Sequence, residues 1–415
     1  MKKYGCIGKK LTHSFSKDIH ARLADYEYEL IELAEEEIQP FFENKDFEAI
    51  NVTIPYKQTI IPYLDSVSEI AQKIGAVNTV VNKDGKLHGY NTDYYGLKAL
   101  IERVGVNLTG KKVLVLGTGG TSKTAQVVAA DMGAFEVLTV SRKKTDEYIT
   151  YEEAVTLHSD ANVIINTTPL GMYPDCESKP IDIAAFDLLD GVIDAVYNPL
   201  CTNLVLDAKQ KGIKAEGGLY MLVMQAVVAV EKFLDTKIKK DVADRVFASV
   251  FSAKENIVLI GMPGSGKSTV GRLLGIDGYT FIDTDAEIEK RCGCSIKELI
   301  STKGEKYFRD LESEVIRDVS SENCCIISTG GGAILREENV RSLKRNGKLF
   351  FINAELSRLY ATDDRPLSNT EDKLVKLYNE RISIYQATAD VVVPDMATAD
   401  AETEYILEKR KELIV

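Results

Sequence analysis

Residues Gly261-Met262-Pro263-Gly264-Ser265-Gly266-Lys267-Ser268 directly follow the apolar run Ile257-Val258-Leu259-Ile260. A strand that ends in GxxxxGK[ST] and feeds a helix is a phosphate-binding loop, in which backbone N–H groups cradle phosphates. Such a strand-loop-helix opens its domain, so the residues before 257 belong to something else. The position of the loop therefore predicts two enzymes in one polypeptide. At 415 residues the chain has room for two or three domains.

Composition narrows the partners. Hydrophobic residues make up 45% and charged residues 27%, as in an ordinary soluble globular protein. A net charge of −12 argues against nucleic acid or an anionic membrane as the main partner, and leaves small-molecule substrates. Cys292 and Cys294 form CxC, and Cys324 and Cys325 are adjacent, but none of the seven cysteines has zinc-ligand spacing. Reduced thiols in a cytosolic protein are the expectation. The start MKKYGCIGKK lacks the apolar stretch of a secretory signal. The most apolar segment, 219–230, is too short to span a bilayer and carries Gln225 in its middle. A cytoplasmic location without membrane attachment is expected. Nothing in the sequence sets an oligomeric state.

Residues 1 to about 100 mix short apolar runs with helical patterns. From 111 to 228 strands alternate with helices, with strands expected at 113–116, 136–140, 163–166 and 191–194, which implies a parallel, doubly wound sheet. Residues 241–251 read as a helix and 252–256 as a short polar joint. A second alternating pattern runs from Ile257 onward.

Gly117-Thr118-Gly119-Gly120-Thr121-Ser122 follows the first strand of the middle block. Gly117 allows a tight turn, and Gly119 lets a backbone approach a pyrophosphate at the helix N-terminus. With Ser122 in the third position, a purely structural turn fits this pattern too. The next strand ends about 20 residues on, where an NAD-binding fold carries an acidic residue. Here the residues are Ser141-Arg142-Lys143-Lys144. A basic cluster cannot accept a ribose hydroxyl but can hold a 2′-phosphate, so the pair of features points to NADP.

In the first block, polar residues interrupt apolar runs at His13-Ser14-Phe15-Ser16, Asn51-Val52-Thr53-Ile54-Pro55-Tyr56-Lys57, Gly75-Ala76-Val77-Asn78-Thr79 and Asn91-Thr92-Asp93. Taken singly, each fits a cap, an Asx turn or a solvated lysine. Gln225 is different, because a primary amide inside an apolar helix must find partners or cost a few kcal/mol. The ordered set HSxS, NVTxPxK, GAVNT, NTD and GxGGxS continues with Asn166-Thr167-Thr168-Pro169-Leu170-Gly171-Met172, Asp194-Ala195-Val196-Tyr197-Asn198-Pro199 and Gly218-Leu219-Tyr220-Met221. Over residues 1 to about 250 this set resembles shikimate dehydrogenase.

The resemblance implies NADPH-dependent reduction of 3-dehydroshikimate to shikimate. It makes Lys57 and Asp93 the catalytic pair, and Ser14, Ser16, Thr53, Asn78, Tyr197 and Gln225 the substrate contacts. Gly218 joins Gly117, Gly119, Gly120, Ser141, Arg142 and Lys143 on the NADP side. Lys17 stands where the family usually has proline, and Thr118 and Thr121 where it often has alanine.

In the last block, Asp283-Thr284-Asp285 closes a strand expected at 279–282, and Gly330-Gly331-Gly332 follows one at 325–328. A plain helix N-cap would also explain either aspartate, and surface placement would explain Arg309, Arg365 or Arg381. In order, GxxGSGKST, DTD, FR, GGGA, RPL and RxxxY resemble shikimate kinase over residues 257 to about 400. Gly264, Ser265, Gly266, Lys267, Ser268 and Thr269 would then bind ATP. Ser268 would ligate Mg²⁺, which Asp283 supports through water. The resemblance gives Asp285 the attacking hydroxyl of shikimate, Arg309 and Arg381 its carboxylate, and Gly330, Gly331 and Gly332 the cavity lining. It gives Arg365, on a lid around 360–370, the transferring phosphoryl group. The lid segment is short and acidic, and Arg358 is out of phase for the adenine contact common in that family.

The fold class expected is α/β throughout. A two-lobed dehydrogenase has an α/β substrate lobe at 1–100, completed by helices at about 229–251, and a Rossmann NADP lobe at 101–228. A linker at 252–256 leads to a P-loop kinase with a parallel sheet at 257–415. Two rivals stay open: a quinate/shikimate dehydrogenase that prefers NAD, and a chain in which one half only senses a metabolite.

Overall fold

A computed structural model of the chain describes residues 3–11, 15–360 and 370–414. Contacts divide the chain into two compact units, Met1–Val250 and Phe251–Val415.

The first unit holds two six-stranded sheets. The first contains β1 (Tyr4–Gly8), β2 (Tyr28–Glu32), β3 (Ala49–Val52), β4 (Ser66–Val67), β5 (Thr79–Lys83) and β6 (Lys86–Tyr90), in the order β2-β1-β3-β5-β6-β4. It is mixed, because β5 and β6 form a hairpin and β5 runs antiparallel to β3. The second contains β7 (Lys112–Leu116), β8 (Glu136–Ser141), β9 (Tyr148–Thr150), β10 (Val163–Asn166), β11 (Gly191–Asp194) and β12 (Lys214–Glu216). All its pairings are parallel, in the order β12-β11-β10-β7-β8-β9. Val113, Leu114, Val115 and Leu116 are completely buried, as a central parallel strand covered on both faces requires. The chain order reverses between β7 and β10, the switch point at which doubly wound sheets bind ligands.

The Leu219–Leu234 helix returns the chain to the first lobe. It packs along its length on the Asp93–Val104 helix and also touches β3 and β5. Gly96 permits this close crossing, since a Cβ there would stand 2.5 Å from the Met221 carbonyl oxygen and 3.0 Å from Gln225 Cβ. The return thus begins about ten residues earlier than the 229 expected from sequence, because the whole helix follows its apolar face onto the first lobe.

The second unit has one parallel sheet: β13 (Asn256–Ile260), β14 (Thr280–Asp283), β15 (Cys325–Ser328), β16 (Gly347–Ile352) and β17 (Val391–Val393). The order is β14-β15-β13-β16-β17, so the reversal falls beside β13, the strand that feeds the phosphate loop.

Within the short polar joint expected at 252–256, Lys254, Glu255 and Asn256 are buried. The Lys240–Ser252 helix and β13 leave only Ala253, Lys254 and Glu255 between them. Glu255 is fully buried and takes a 2.8 Å hydrogen bond from Arg410 Nε on the Ala399–Ile414 helix. Arg410 also donates to the Tyr279 hydroxyl, which in turn donates to the Ser252 carbonyl. A buried carboxylate needs such a partner. Arg410→Ala is expected to destabilise the second unit by on the order of 3 kcal/mol in urea unfolding, because it strands the Glu255 charge. Replacing both Glu255 and Arg410 by leucine should recover most of that loss.

Candidate active sites

In the first unit, a cleft of about 490 Å³ opens at the carboxyl end of β3. Its walls carry Ser16, Thr53, Lys57, Asn78, Asp93, Tyr197, Gly218 and Gln225. Lys57 lies a few residues beyond β3, and Asp93 is the first residue of its helix. Lys57 Nζ donates to Asp93 Oδ2 at 2.6 Å, and both side chains are largely shielded from water. The Asn78 amide is fixed from behind. Its Oδ1 accepts from the Thr92 backbone N–H at 2.7 Å, and its Nδ2 donates to Thr92 Oγ1 at 3.1 Å. Gln225 finds the partners its burial demands, donating to the Leu222 carbonyl at 3.0 Å and accepting from Thr92 Oγ1 at 3.4 Å. Burial raises the Tyr197 phenol above its ordinary value. Ser14 lies outside the described residues.

Tyr197 rides on a loop clamped by a buried carboxylate. Asp194, completely buried at the end of β11, accepts from Asn166 Nδ2 at 2.9 Å, the Val196 backbone N–H at 3.0 Å and Thr202 Oγ1 at 2.6 Å. Burial nevertheless raises its pKa to about 6, against the lowering effect of these donors. Asn166 Oδ1 meanwhile accepts from Thr168. One side-chain pair therefore shapes two loops at the carboxyl edge of the sheet.

The dinucleotide candidates gather at the same edge. Gly117 has a φ of +104°, and a Cβ there would press on Thr167 Oγ1 at 3.0 Å. Gly119 and Gly120 have no neighbour within 4 Å of a would-be Cβ, which leaves their backbone open to a ligand. Gly119 caps the Gly120–Asp131 helix. Ser141 ends β8, the strand next to β7, and exposed Arg142 and Lys143 follow it. Lys144 is taken by Glu153. Gly218 sits apart from this group, on the cleft wall against the Ala195 carbonyl. Open glycines at a helix N-terminus with adjacent cations suit a phosphorylated dinucleotide.

In the second unit a cavity of about 620 Å³ brings together Gly264, Gly266, Lys267, Ser268, Thr269, Asp283, Asp285, Arg309, Gly330, Gly331, Gly332 and Arg381. Gly264 and Gly266 have φ of +83° and +90°, which turns backbone N–H groups inward. Lys267 Nζ folds onto the Gly261 and Met262 carbonyls at 2.9 and 2.8 Å. Ser265 is buried behind the loop and is absent from the cavity lining. Arg365 lies outside the described residues.

Asp283 is the helix cap the sequence allowed, and its second oxygen is left for the phosphate-loop side. Its Oδ1 caps the Thr284–Cys292 helix, accepting from the Asp285 and Ala286 N–H groups, while Oδ2 accepts from Ser268 Oγ at 2.6 Å. These hard oxygens beside the phosphate loop fit Mg²⁺, which binds through one or two protein oxygens, phosphate and water. The carboxyl of Asp285 is pushed up to about 6 by burial and by the nearby Asp283 and Glu312, against the pull of Lys267 and Arg309. Arg309 Nη1 donates to Glu312 Oε2 at 2.7 Å. Arg381 Nη1 donates to the Gly331 carbonyl at 2.9 Å. The glycine triplet is a matter of room. A Cβ on Gly330 would stand 2.6 Å from Asp285 Oδ1, and one on Gly332 would strike the Arg309 guanidinium.

Sequence reading missed Thr92 and Glu312. Thr92 bonds both Asn78 and Gln225, the latter 133 positions away in the chain, a link without a local signal. Glu312 is fully buried, and its Oε1 has no hydrogen-bond partner. Its spacing of three from Arg309 on one helix was the available clue.

Residues 6–80 match the family model for the shikimate dehydrogenase substrate binding domain, and residues 263–411 match the one for shikimate kinase. A shikimate dehydrogenase (NADP(+)) from Clostridium beijerinckii is 38% identical over 248 residues, covering 56% of this chain and 91% of that protein. The structure of a chorismate mutase/shikimate 5-dehydrogenase fusion protein from Clostridium acetobutylicum superposes with a TM-score of 0.57 at 34% identity, covering 60% of this chain and 97% of that one. Shikimate 5-dehydrogenase from Thermus thermophilus, in complex with NADP(H) and shikimate, gives 0.52 at 28% identity, over 59% of this chain and 100% of that one. The chain belongs to the shikimate dehydrogenase family through its first unit, carries a shikimate kinase domain in its second, and is a bifunctional shikimate-pathway enzyme.

Proposed function

We propose that the first unit reduces 3-dehydroshikimate to shikimate and the second converts shikimate to shikimate 3-phosphate, with the residue roles that follow. The observation that carries this reading is the content of the 620 Å³ cavity. It holds a phosphate loop, a partly buried carboxylate of raised pKa and two guanidinium groups. That set suits transfer of a phosphoryl group to the hydroxyl of a small carboxylate. The first unit would make such an acceptor. No helix among the described residues is long and apolar enough to cross a membrane. A cytoplasmic location remains part of the proposal.

In the first cleft, NADPH supplies the hydride when bound. Lys57 Nζ donates a proton to the substrate carbonyl oxygen as it becomes a hydroxyl, and Asp93 holds the ammonium in place. Ser16, Thr53, Asn78, Tyr197 and Gln225 orient the substrate. The basic Arg142 and Lys143, with no carboxylate at the end of β8, favour NADPH over NADH.

In the second cavity, ATP with Mg²⁺ supplies the phosphoryl group. The backbone N–H groups of Gly264 to Lys267 hold phosphate, aided by the Lys267 ammonium once it leaves the loop carbonyls. Asp285 accepts the proton of the attacking hydroxyl, and Arg309 and Arg381 clamp the carboxylate. Glu312 keeps Arg309 aimed.

Separate substitutions test the assignment. Lys57→Ala is expected to lower kcat/KM for NADPH oxidation at least 100-fold and leave ADP formation from added shikimate intact. Lys267→Ala should do the reverse, and either enzyme keeping its wild-type rate would remove that residue from the mechanism. The kinase reaction also has a predicted pH profile. Asp285 must be ionised to act, and its pKa is about 6. Kinase kcat/KM should therefore fall about tenfold per pH unit below 6 and level off above it. Asp285→Asn should abolish phosphoryl transfer yet raise the melting temperature by a few degrees, since it removes a carboxylate crowded by two others.

A further inference from the structure

The Cys292-Gly293-Cys294 motif has no part in the chemistry above, but its geometry is specific. Cys292 ends the helix that begins beside Asp285, and Gly293 caps it with a φ of +71°. That left-handed turn folds Cys294 back over the last helical turn. Cys294 Sγ comes 3.5 Å from Cys292 Sγ, with its thiol hydrogen toward the Cys292 sulfur. Both thiols are partly exposed, whereas Cys6, Cys176 and Cys325 are buried.

Residues on both sides of the turn line the second cavity. Ser295, Ile296 and Lys297 line that cavity, as does Glu289 one turn earlier. Glu289 Oε1 accepts from the Ile296 backbone N–H at 3.0 Å, so the two sides of the turn move together. Ser295 caps the next helix, Ile296–Lys303. Closing the sulfur gap to a covalent bond draws Cys294 toward Cys292 and drags this wall with it.

We propose that Cys292 and Cys294 form a reversible, peroxide-sensitive dithiol whose oxidation weakens acceptor binding in the adjacent cavity. The Cys292 thiolate attacks one oxygen of hydrogen peroxide. The O–O bond breaks, a sulfenic acid forms on Cys292, and the departing hydroxide takes a proton to become water. The Cys294 sulfur then attacks the Cys292 sulfur, gives up its proton, and expels a second water as the disulfide closes. Two thiols are oxidised and one peroxide is reduced to two waters. Cys294 donates to the Cys292 sulfur while Cys292 faces the Cys294 and Glu289 carbonyls, so the second sulfur is within reach as soon as the first is oxidised. The ring closed across a single intervening residue is small and strained, and strained disulfides are the labile, regulatory kind.

The kinetic consequence rests on the kinase reading above, whereas the sulfur chemistry does not, so the experiment reads both. The full chain is treated with hydrogen peroxide, quenched, alkylated and cleaved with trypsin, which releases residues 292–297 as one peptide with both cysteines. The expected result is a loss of two hydrogens in that peptide and an at least threefold rise in KM for shikimate in the kinase assay. Dithiothreitol should reverse both changes, and Cys292→Ser and Cys294→Ser enzymes should show neither. A peptide that remains alkylated at both cysteines overturns the proposal whatever the kinase does. A disulfide that forms with KM unchanged overturns the regulatory part. Absence of kinase activity before oxidation would refute the kinase reading and leave the peptide result to stand by itself.

Discussion

The ionised groups that line the two cavities are largely withdrawn from water, and most depend on a partner nearby. Lys57 has Asp93, Arg309 has Glu312, and Asp283 has two backbone N–H groups and Ser268. Burial without such partners would cost several kcal/mol per charge. Asp285 is the informative exception. Burial, reinforced by two neighbouring carboxylates, raises its proton affinity instead of lowering it. A group required to accept a proton is served by that arrangement, and a group required only to hold a cation is not.

Topology decides where such partners can meet. In both parallel sheets the chain order reverses beside the strand that carries the glycine-rich turn, β7 in one and β13 in the other. At a reversal the connecting helices leave to opposite faces and open a crevice at the strand ends. The polar residues at the ends of β10 and β11, and of β14 and β15, are delivered to these edges by register alone. Asn166 and Asp194 lie opposite one another in that register, so one hydrogen bond fixes the loops that follow both strands.

Close backbone approach supplies the remaining precision. Gly96 lets two helices touch at the level of Gln225, while the glycine triplet leaves room for Asp285, Glu312 and Arg309 around one cavity. A β-carbon at any of these glycines would displace a functional side chain or the backbone that carries it. The same logic accounts for Gly293, whose left-handed turn brings two thiols together next to a cavity wall.

Local chemistry was legible in the chain before any fold was known. The phosphate loop, the basic cluster at Ser141-Arg142-Lys143 and the strands at 163–166, 191–194 and 325–328 could be read because each depends on neighbours in sequence. Gln225 could be flagged from its apolar surroundings, but not its partner Thr92. Asp283 could be read as a cap or as a metal support, and only the tertiary structure showed one oxygen on the helix N-terminus and the other accepting from Ser268. The segment 252–256 read only as a short polar joint, because the arginine that pairs with buried Glu255 lies 155 residues away. Sequence by itself determined which groups could do chemistry. Tertiary structure decided which of them meet, because burial energy and partner geometry are set by contacts between segments far apart in the chain.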